Sequence, residues 1–415
     1  MLPGKTESAT SPVGTGSGGI VVRLSGKRVL VTGGTGFVGG RLTEKLLLEE
    51  GATANCLVRN WTKAVWVSRT AADLYPGDVS EPLAVNDAIQ GCQIVMHCAS
   101  GGTAREQLFQ TNVEGTRCLL EAAERQGVER FVYVSSIAVH GASPPDGASE
   151  QTPFEDCGRA YSASKIAAEQ LVLEFARQGR VPATIIRPTF VWGPRSHLFT
   201  VGPIRAMRAG RFCWIDHGKG TCHAVHVDNL VESLIHAATQ PGAIGRAFVV
   251  TDEAGITWRQ FFMPLLELLG IEEVPSISSR SLLTPWLCRA REISAGVVER
   301  LSGDGRTLPT RAVRRLFREL EVSISRRGIP SLWDLQKFAR VGSLDTSLSR
   351  EVLGYQPVLD FAAATEQTLH WIRIQLADEL GLTALPEEHA GVGLPSRVLH
   401  ETESAGSSDG IQSPA

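Results

Sequence analysis

The chain has 415 residues, of which 43% are hydrophobic and 20% charged, with a formal net charge of −3 and a pI near 6.4. That length suits one large α/β domain with a smaller lobe, and the near-neutral charge excludes an electrostatic case for nucleic acid. No stretch reaches the roughly eighteen apolar residues of a membrane span, so no integral membrane segment is expected.

Residues 1–24 are rich in Gly, Ser and Thr and lack a basic start followed by an apolar core, so they read as a disordered tail without a secretory signal. Arg28–Val31 is a buried strand, and Val38, Leu42, Leu46 and Leu47 line the inner stripe of the helix after it. Strands follow at Ala54–Val58 and Ile94–His97, then a helix from about Glu106 to Gln126. Strand Phe131–Val134, a helix from Tyr161 to Arg177 and strand Ala183–Ile186 complete the series. Regular alternation predicts a doubly wound, Rossmann-type α/β fold with a parallel sheet. The expected Rossmann domain covers 25–195, and a mixed, largely helical substrate-binding lobe covers 196–380. That lobe includes a helical stretch near 276–337. A second disordered tail covers 381–415.

The first strand runs into Thr32-Gly33-Gly34-Thr35-Gly36-Phe37-Val38-Gly39. Gly33, Gly36 and Gly39 permit a tight turn, close approach of backbone N–H groups to a pyrophosphate, and close helix packing. The amino end of the helix, opened by Phe37 and Val38, favours the phosphate charge. A strand before the glycines and an amphipathic helix after them supply the context of a dinucleotide site. The second strand ends in Val58-Arg59-Asn60, with Lys63 beyond, where an NAD enzyme would place a carboxylate. A guanidinium suits a 2′-phosphate, so NADP is favoured, with NAD possible. Asp78, next to Val79, either caps the following helix or accepts from the adenine amino group.

Tyr161 and Lys165 stand four apart on one helix face. Hydride transfer at a carbonyl needs a group that gives or takes the hydroxyl proton. Free tyrosine, with a pKa of about 10, is a poor base near neutrality. A neighbouring ammonium and the charged ring of an oxidised nicotinamide are expected to lower it. The eight cysteines form no C-x-x-C pair or zinc pattern and read as reduced thiols of a cytoplasmic protein. Only a Cys213–Cys222 bond competes with that reading. His217, His223 and His226 have no carboxylate in ligand spacing, so no metal is expected.

Together TGGTGFVGG, GDV, VMHCAS, TNVEGT, VYVSSIAVHG, YSASK, IIRPTFVWGP and VHVDNL resemble the extended short-chain dehydrogenase/reductase family, over roughly residues 27–375. The 3β-hydroxysteroid dehydrogenase and dihydroflavonol reductase branches look nearest. The resemblance implies that Ser136 hydrogen-bonds the reacting oxygen, with Ser135 as the competing assignment. Tyr161 is then the acid/base, and Lys165 its tuner and a ribose contact. It also implies that Asn112 lies near the cofactor or serves the structure, that backbone near Pro188 faces the nicotinamide, and that His97, Ala99 and Ser100 line the cofactor cleft. His140 reads as packing before substrate contact, and Asp228 as a cap or lobe anchor. Trp192, Phe199, Phe212, Trp214 and Trp286 are candidates for an apolar pocket. The implied activity is NADP-dependent oxidoreduction of a hydroxyl or keto group on a bulky, apolar small molecule of steroid, flavonoid or polyketide type. The competing reading is a nucleotide-sugar epimerase or dehydratase. A homodimer through the two long helices is also implied.

Overall fold

The computed structural model describes residues 23–252, 255–281, 284, 288 and 330–382. The expected tails up to residue 22 and from 383, most of the 276–337 stretch, and Trp286 lie outside the described residues. Leu24 is buried at 2% exposure, so core packing begins inside the range expected for the first tail.

The strands are β1 Arg28–Thr32, β2 Thr53–Val58, β3 Asp73–Pro76, β4 Ile94–His97, β5 Arg130–Val134 and β6 Ala183–Pro188. Then come β7 Phe190–Trp192, β8 Trp214–Ile215, β9 Thr221–Cys222, β10 Ala224–His226 and β11 Ala247–Val250. Seven of them form one sheet in the order β11-β6-β5-β4-β1-β2-β3, every pair parallel. The helices are α1 Phe37–Leu48, α2 Pro82–Ile89, α3 Arg105–Phe109, α4 Gly115–Gln126 and α5 Ala160–Arg177. After them come α6 Gly202–Arg208, α7 Val227–Thr239 and α8 Trp258–Leu268.

Successive residues of a strand face opposite sides, so β1 sends Val29 and Val31 into one core layer and Leu30 into the other. Val29 and Val31 meet Leu42 and Leu46 of α1 and Leu234 of α7, whereas Leu30 meets Leu119 and Leu120 of α4 and Val172 of α5. Covered on both faces, the strands read as continuous apolar runs. Strand order reverses between β1 and β4, and open α/β sheets bind ligands at such a crevice, outside the carboxyl ends of the strands.

A single cut at 195 does not describe the chain. It leaves the sheet after β6, then returns to add α7 to one face and β11 to the edge. The long helix expected at 106–126 is interrupted by a π turn at Gln110–Glu114. Asn112 lies in this turn, its amide spent on Gly101 N and Ser164 Oγ, each at 2.9 Å. Beyond β7 an aromatic core forms around Trp192, Trp214, Trp258, Phe261 and Phe262, with Phe199 and Phe212 packed against it.

His97 pins β4 to its neighbours. Thr116 Oγ1 donates to the Asn112 carbonyl at 2.6 Å, so it accepts from His97 Nε2 at 2.9 Å, and His97 Nδ1 then accepts from Thr32 Oγ1 at 2.7 Å. The ring is fully buried and neutral. Burial, assisted by the charge of Lys165, lowers its pKa from 6.5 to about 3. An unfolded histidine therefore takes a proton that the folded one refuses, and stability present above pH 6.5 is lost as pH falls toward about 3. Thermal midpoints between about pH 7.5 and pH 5, where carboxylates stay ionised, should fall less steeply for His97→Gln than for the unaltered protein. Equal slopes would refute this role for the ring.

Candidate active site

The glycine turn is a cradle that side chains would fill. Gly33 has φ +73°, and a Cβ there would meet Ala99 N at 2.8 Å; a Cβ on Gly39 would lie 2.3 Å from Gly33 O. No side chain caps α1 at Gly36, so the amino end of α1, which starts with Phe37 and Val38, keeps its N–H groups for a ligand. A pyrophosphate fits this arrangement by shape and by charge.

At the far end of the crevice Arg59 Nη1 donates to Asp78 Oδ2 at 2.9 Å, with the arginine side chain 61% exposed. The two residues expected at the 2′-phosphate and at the adenine of a bound NADP thus hold each other. Asp78 is not the cap of α2, which starts after Glu81 with proline first. Its Oδ1 instead closes a turn, accepting from Ser80 N at 3.0 Å and Ser80 Oγ at 2.8 Å. Burial raises the Asp78 pKa, but those bonds and Arg59 outweigh it and leave the pKa low. Val79 is buried against Gly115 of α4, and its side chain serves the core.

At the carboxyl end of β4, Ala99 and Ser100 remain accessible. The His97 side chain does not line the cleft as expected, because both ring nitrogens are engaged in the core. Pro188 closes β6 beside Val250 of β11.

Ser136 follows β5 and opens a short helical turn, accepting from Ala138 N at 3.2 Å. Its hydroxyl stands close enough to the Tyr161 phenol to hold that group's pKa down. Tyr161, in the first turn of α5, keeps 37% of its surface open to the cleft, while its phenol end lies deep enough that burial raises the pKa and the nearby Ser136 hydroxyl only partly offsets this. The expected lowering is therefore not a property of the protein alone. Lys165 lies one turn on, 3% exposed, donating to the Val134 carbonyl at 2.7 Å. Burial lowers its pKa to about 8, so it remains largely an ammonium at neutrality. Ser135 is 3% exposed and donates to Glu169 at 2.6 Å, which separates the two serines: one meets the tyrosine, the other the core.

His140 is buried packing at 1% exposure, with a polar contact to Arg187 Nη1 at 3.1 Å. Of the two roles open to Asp228, the cap of α7 is held by His226, and Asp228 is an anchor: it holds Arg41 of α1 at 2.6 Å and accepts from Gln367 Nε2 at 3.2 Å. Glu169 was invisible to motif reading, although a carboxylate one turn beyond Lys165 on the same helix face is a signal that could have found it. Cys213 and Cys222 are not joined by a disulfide. Among the described residues no cluster of three or more His, Cys, Asp or Glu could hold a metal, and no helix is long and apolar enough to cross a membrane.

The model of the NAD dependent epimerase/dehydratase family matches residues 29–251. The 4-hydroxy-2-methyl-3-oxo-4-farnesyl-3,4-dihydroquinoline-1-oxide ketoreductase of Stigmatella aurantiaca is 33% identical over 250 residues, covering 59% of this chain and 74% of the relative. The 3 beta-hydroxysteroid dehydrogenase/Delta 5-->4-isomerase of Mycobacterium tuberculosis is 30% identical over 262 residues, covering 59% of this chain and 70% of that protein. The dTDP-glucose 4,6-dehydratase of Streptomyces venezuelae, solved with NAD bound, superposes with a TM-score of 0.62 at 21% identity, covering 85% of this chain and 99% of that one; at that identity the likeness concerns the fold. With its Rossmann sheet, glycine cradle and family match over more than half its length, the chain belongs to the NAD dependent epimerase/dehydratase family and is an NAD(P)-dependent oxidoreductase.

Proposed function

We propose that this protein is an NADP-dependent oxidoreductase interconverting hydroxyl and keto groups on a bulky, largely apolar substrate of steroid, flavonoid or polyketide type. The observation that carries this reading is the placement of Ser136 beside the Tyr161 phenol, with Lys165 buried one turn on along α5, at the carboxyl edge of the sheet. The bound nicotinamide cofactor supplies or accepts the hydride. Ser136 then orients the substrate oxygen by hydrogen bond. Tyr161, kept protonated by burial, gives its phenolic proton to a carbonyl oxygen that gains negative charge as the carbon is reduced. Lys165 holds the cofactor ribose and keeps a positive charge below the phenol.

An apolar substrate is supported by the aromatic wall that starts two residues after Pro188. Phe190 packs on Phe199 and Trp258 with ring centroids 5.3 and 5.2 Å apart. The names of the two relatives, one for a farnesylated ring and one for a steroid, point the same way. In this reading the sheet region binds cofactor, the lobe binds substrate, a homodimer forms through α4 and α5, and a chain without disulfides among its described residues suits the reducing cytoplasm.

A panel of ketosteroids, flavanonols, β-keto acyl esters and UDP-sugars, followed by NADPH absorbance, tests the assignment. Net oxidation of one NADPH per product is expected with an apolar ketone. Product from catalytic, unconsumed cofactor would establish the sugar-nucleotide epimerase alternative instead. Tyr161→Phe should retain cofactor binding and lose roughly a hundred- to ten-thousandfold in turnover, and Ser136→Ala should be more damaging than Ser135→Ala. Near-normal turnover of Tyr161→Phe sinks the reading.

NADP preference is carried by Arg59. A 2′-phosphate has to draw the guanidinium from Asp78, a half-exposed exchange that added salt weakens. A charge-assisted bond of about 1.5–3 kcal/mol means that Arg59→Ala should weaken NADP roughly ten- to a hundredfold and leave NAD little changed. Dissociation constants for both cofactors decide the matter: equal losses would show that Arg59 serves the fold.

A further inference from the structure

Beneath the Ser136–Tyr161–Lys165 site lie two buried charges with no part in the steps above. Glu169 stands on α5 one turn beyond Lys165 and two beyond Tyr161, and is fully buried. Its Oε2 accepts from the Ser135 hydroxyl at 2.6 Å, and its Oε1 takes Arg187 Nε at 2.9 Å and, in a closer contact, Arg187 Nη2. Arg187 lies on β6 next to Pro188 and is 3% exposed. Its Nη1 donates to the Glu150 carbonyl at 2.8 Å and to His140 Nε2 at 3.1 Å. His140 Nδ1 faces the Pro153 carbonyl at 3.1 Å. That nitrogen must therefore carry the hydrogen, and Nε2 is left to accept from the guanidinium. Glu150 continues the network, its carboxylate accepting from Val249 N of β11 at 2.7 Å.

Each segment that bears part of the site touches this pair. Ser135 follows β5 immediately before Ser136, Glu169 shares a helix with Tyr161 and Lys165, and Arg187 immediately precedes Pro188. His140 and Glu150 belong to the connection between Ser136 and α5. A buried ion pair is a poor source of stability, since apolar residues of like volume serve as well. What the forked guanidinium and the carboxylate do supply is direction, because their hydrogen bonds hold at one geometry.

We propose that Glu169, clamped by Arg187, is a positioning residue that fixes Ser135, and through it Ser136, against Tyr161 and Lys165. The inference rests on the Ser136–Tyr161–Lys165 reading. Its carboxylate is also the nearest fixed negative charge to Lys165 along α5. Lys165 faces Cys98 and His97 at the end of β4 and the Tyr133 ring of β5 at 4.9 Å, and burial lowers its pKa while Cys98 and Glu169 raise it.

The test uses NADPH with the best-used ketone of the panel above and compares Glu169→Gln, the apolar pair Glu169→Leu/Arg187→Met, Ser135→Ala and Tyr161→Phe. Glu169→Gln should lower kcat roughly ten- to a hundredfold, the cost of a small misplacement, with KM and the NADPH dissociation constant nearly unchanged. Loss of the carboxylate charge should also move the alkaline limb of kcat to lower pH. The apolar pair should fold with near-native thermal stability and keep the low kcat. An apolar pair with full kcat, or an unmoved alkaline limb in Glu169→Gln, overturns the proposal. Where neither Glu169 variant folds, Ser135→Ala decides: a loss of about fivefold or more in kcat at constant KM supports it, and unchanged kcat overturns it. An inactive Tyr161→Phe beside fully active Glu169 variants defeats this inference alone. An active Tyr161→Phe defeats the underlying assignment and this inference with it.

Discussion

A carboxylate and a guanidinium buried side by side at the carboxyl edge of the sheet, Glu169 and Arg187 at 0% and 3% exposure, set the constraint on which the site depends. Breaking such a pair leaves a charge without water or partner, at about 3–5 kcal/mol, a large share of the roughly 5–15 kcal/mol by which a domain is stable. The two residues therefore cannot drift apart while the protein stays folded. Because Ser135, His140 and the Glu150 carbonyl use the remaining donors and acceptors, the constraint spreads from α5 and β6 to β5 and the loop between Ser136 and Tyr161. The Ser136 and Tyr161 hydroxyls therefore stand over a floor held at one geometry.

The other end of the cleft is shaped by steric exclusion. Gly33 touches Ala99 and Gly39 touches Gly33 at distances that admit no side chain, which brings the turn flush against the end of β4 and leaves the first N–H groups of α1 uncovered. Polarity takes over where sterics stop. Arg59 and Asp78 close on each other across the mouth, so in the free protein the charges a dinucleotide would meet are already paired. A phosphorylated ribose bound here would have to exchange Arg59 from Asp78, so the proposed NADP selectivity would rest on the difference between two ion pairs rather than on a free arginine.

Burial, more than any particular neighbour, sets the protonation states of the cleft floor. It lowers His97 to about 3 and Lys165 to about 8, and it raises the Tyr161 phenol. The three shifts act in a common sense, since each disfavours the charged form. His97 is thereby kept a neutral strut between β1 and α4, Tyr161 keeps its proton, and Lys165 remains largely an ammonium at neutrality. Favourable tuning and the desolvation cost are the same interaction seen at different residues.

Local patterns in the sequence were enough to determine the parallel sheet, the glycine turn, and the helix that carries Tyr161 and Lys165. A turn needing glycine, a strand buried on both faces and a helical repeat of about 3.6 residues each depend on neighbours a few positions away. Only the tertiary structure decided the rest. The return of β11 to the sheet edge depends on where the lobe lets the chain re-enter, and a short strand says nothing of its partner. The family resemblance placed His97 in the cofactor cleft; that Thr32 and Thr116 consume both its nitrogens depends on α4 packing over β4. Arg59 and Asp78 each matched a cofactor contact taken singly, and their mutual bond exists because β2 and β3 are neighbours. The pairing of Glu169 with Arg187 joins a helix to a strand that each look complete in sequence. Partner choice among buried charges is made by the fold, because a charge removed from water must satisfy whatever stands next to it.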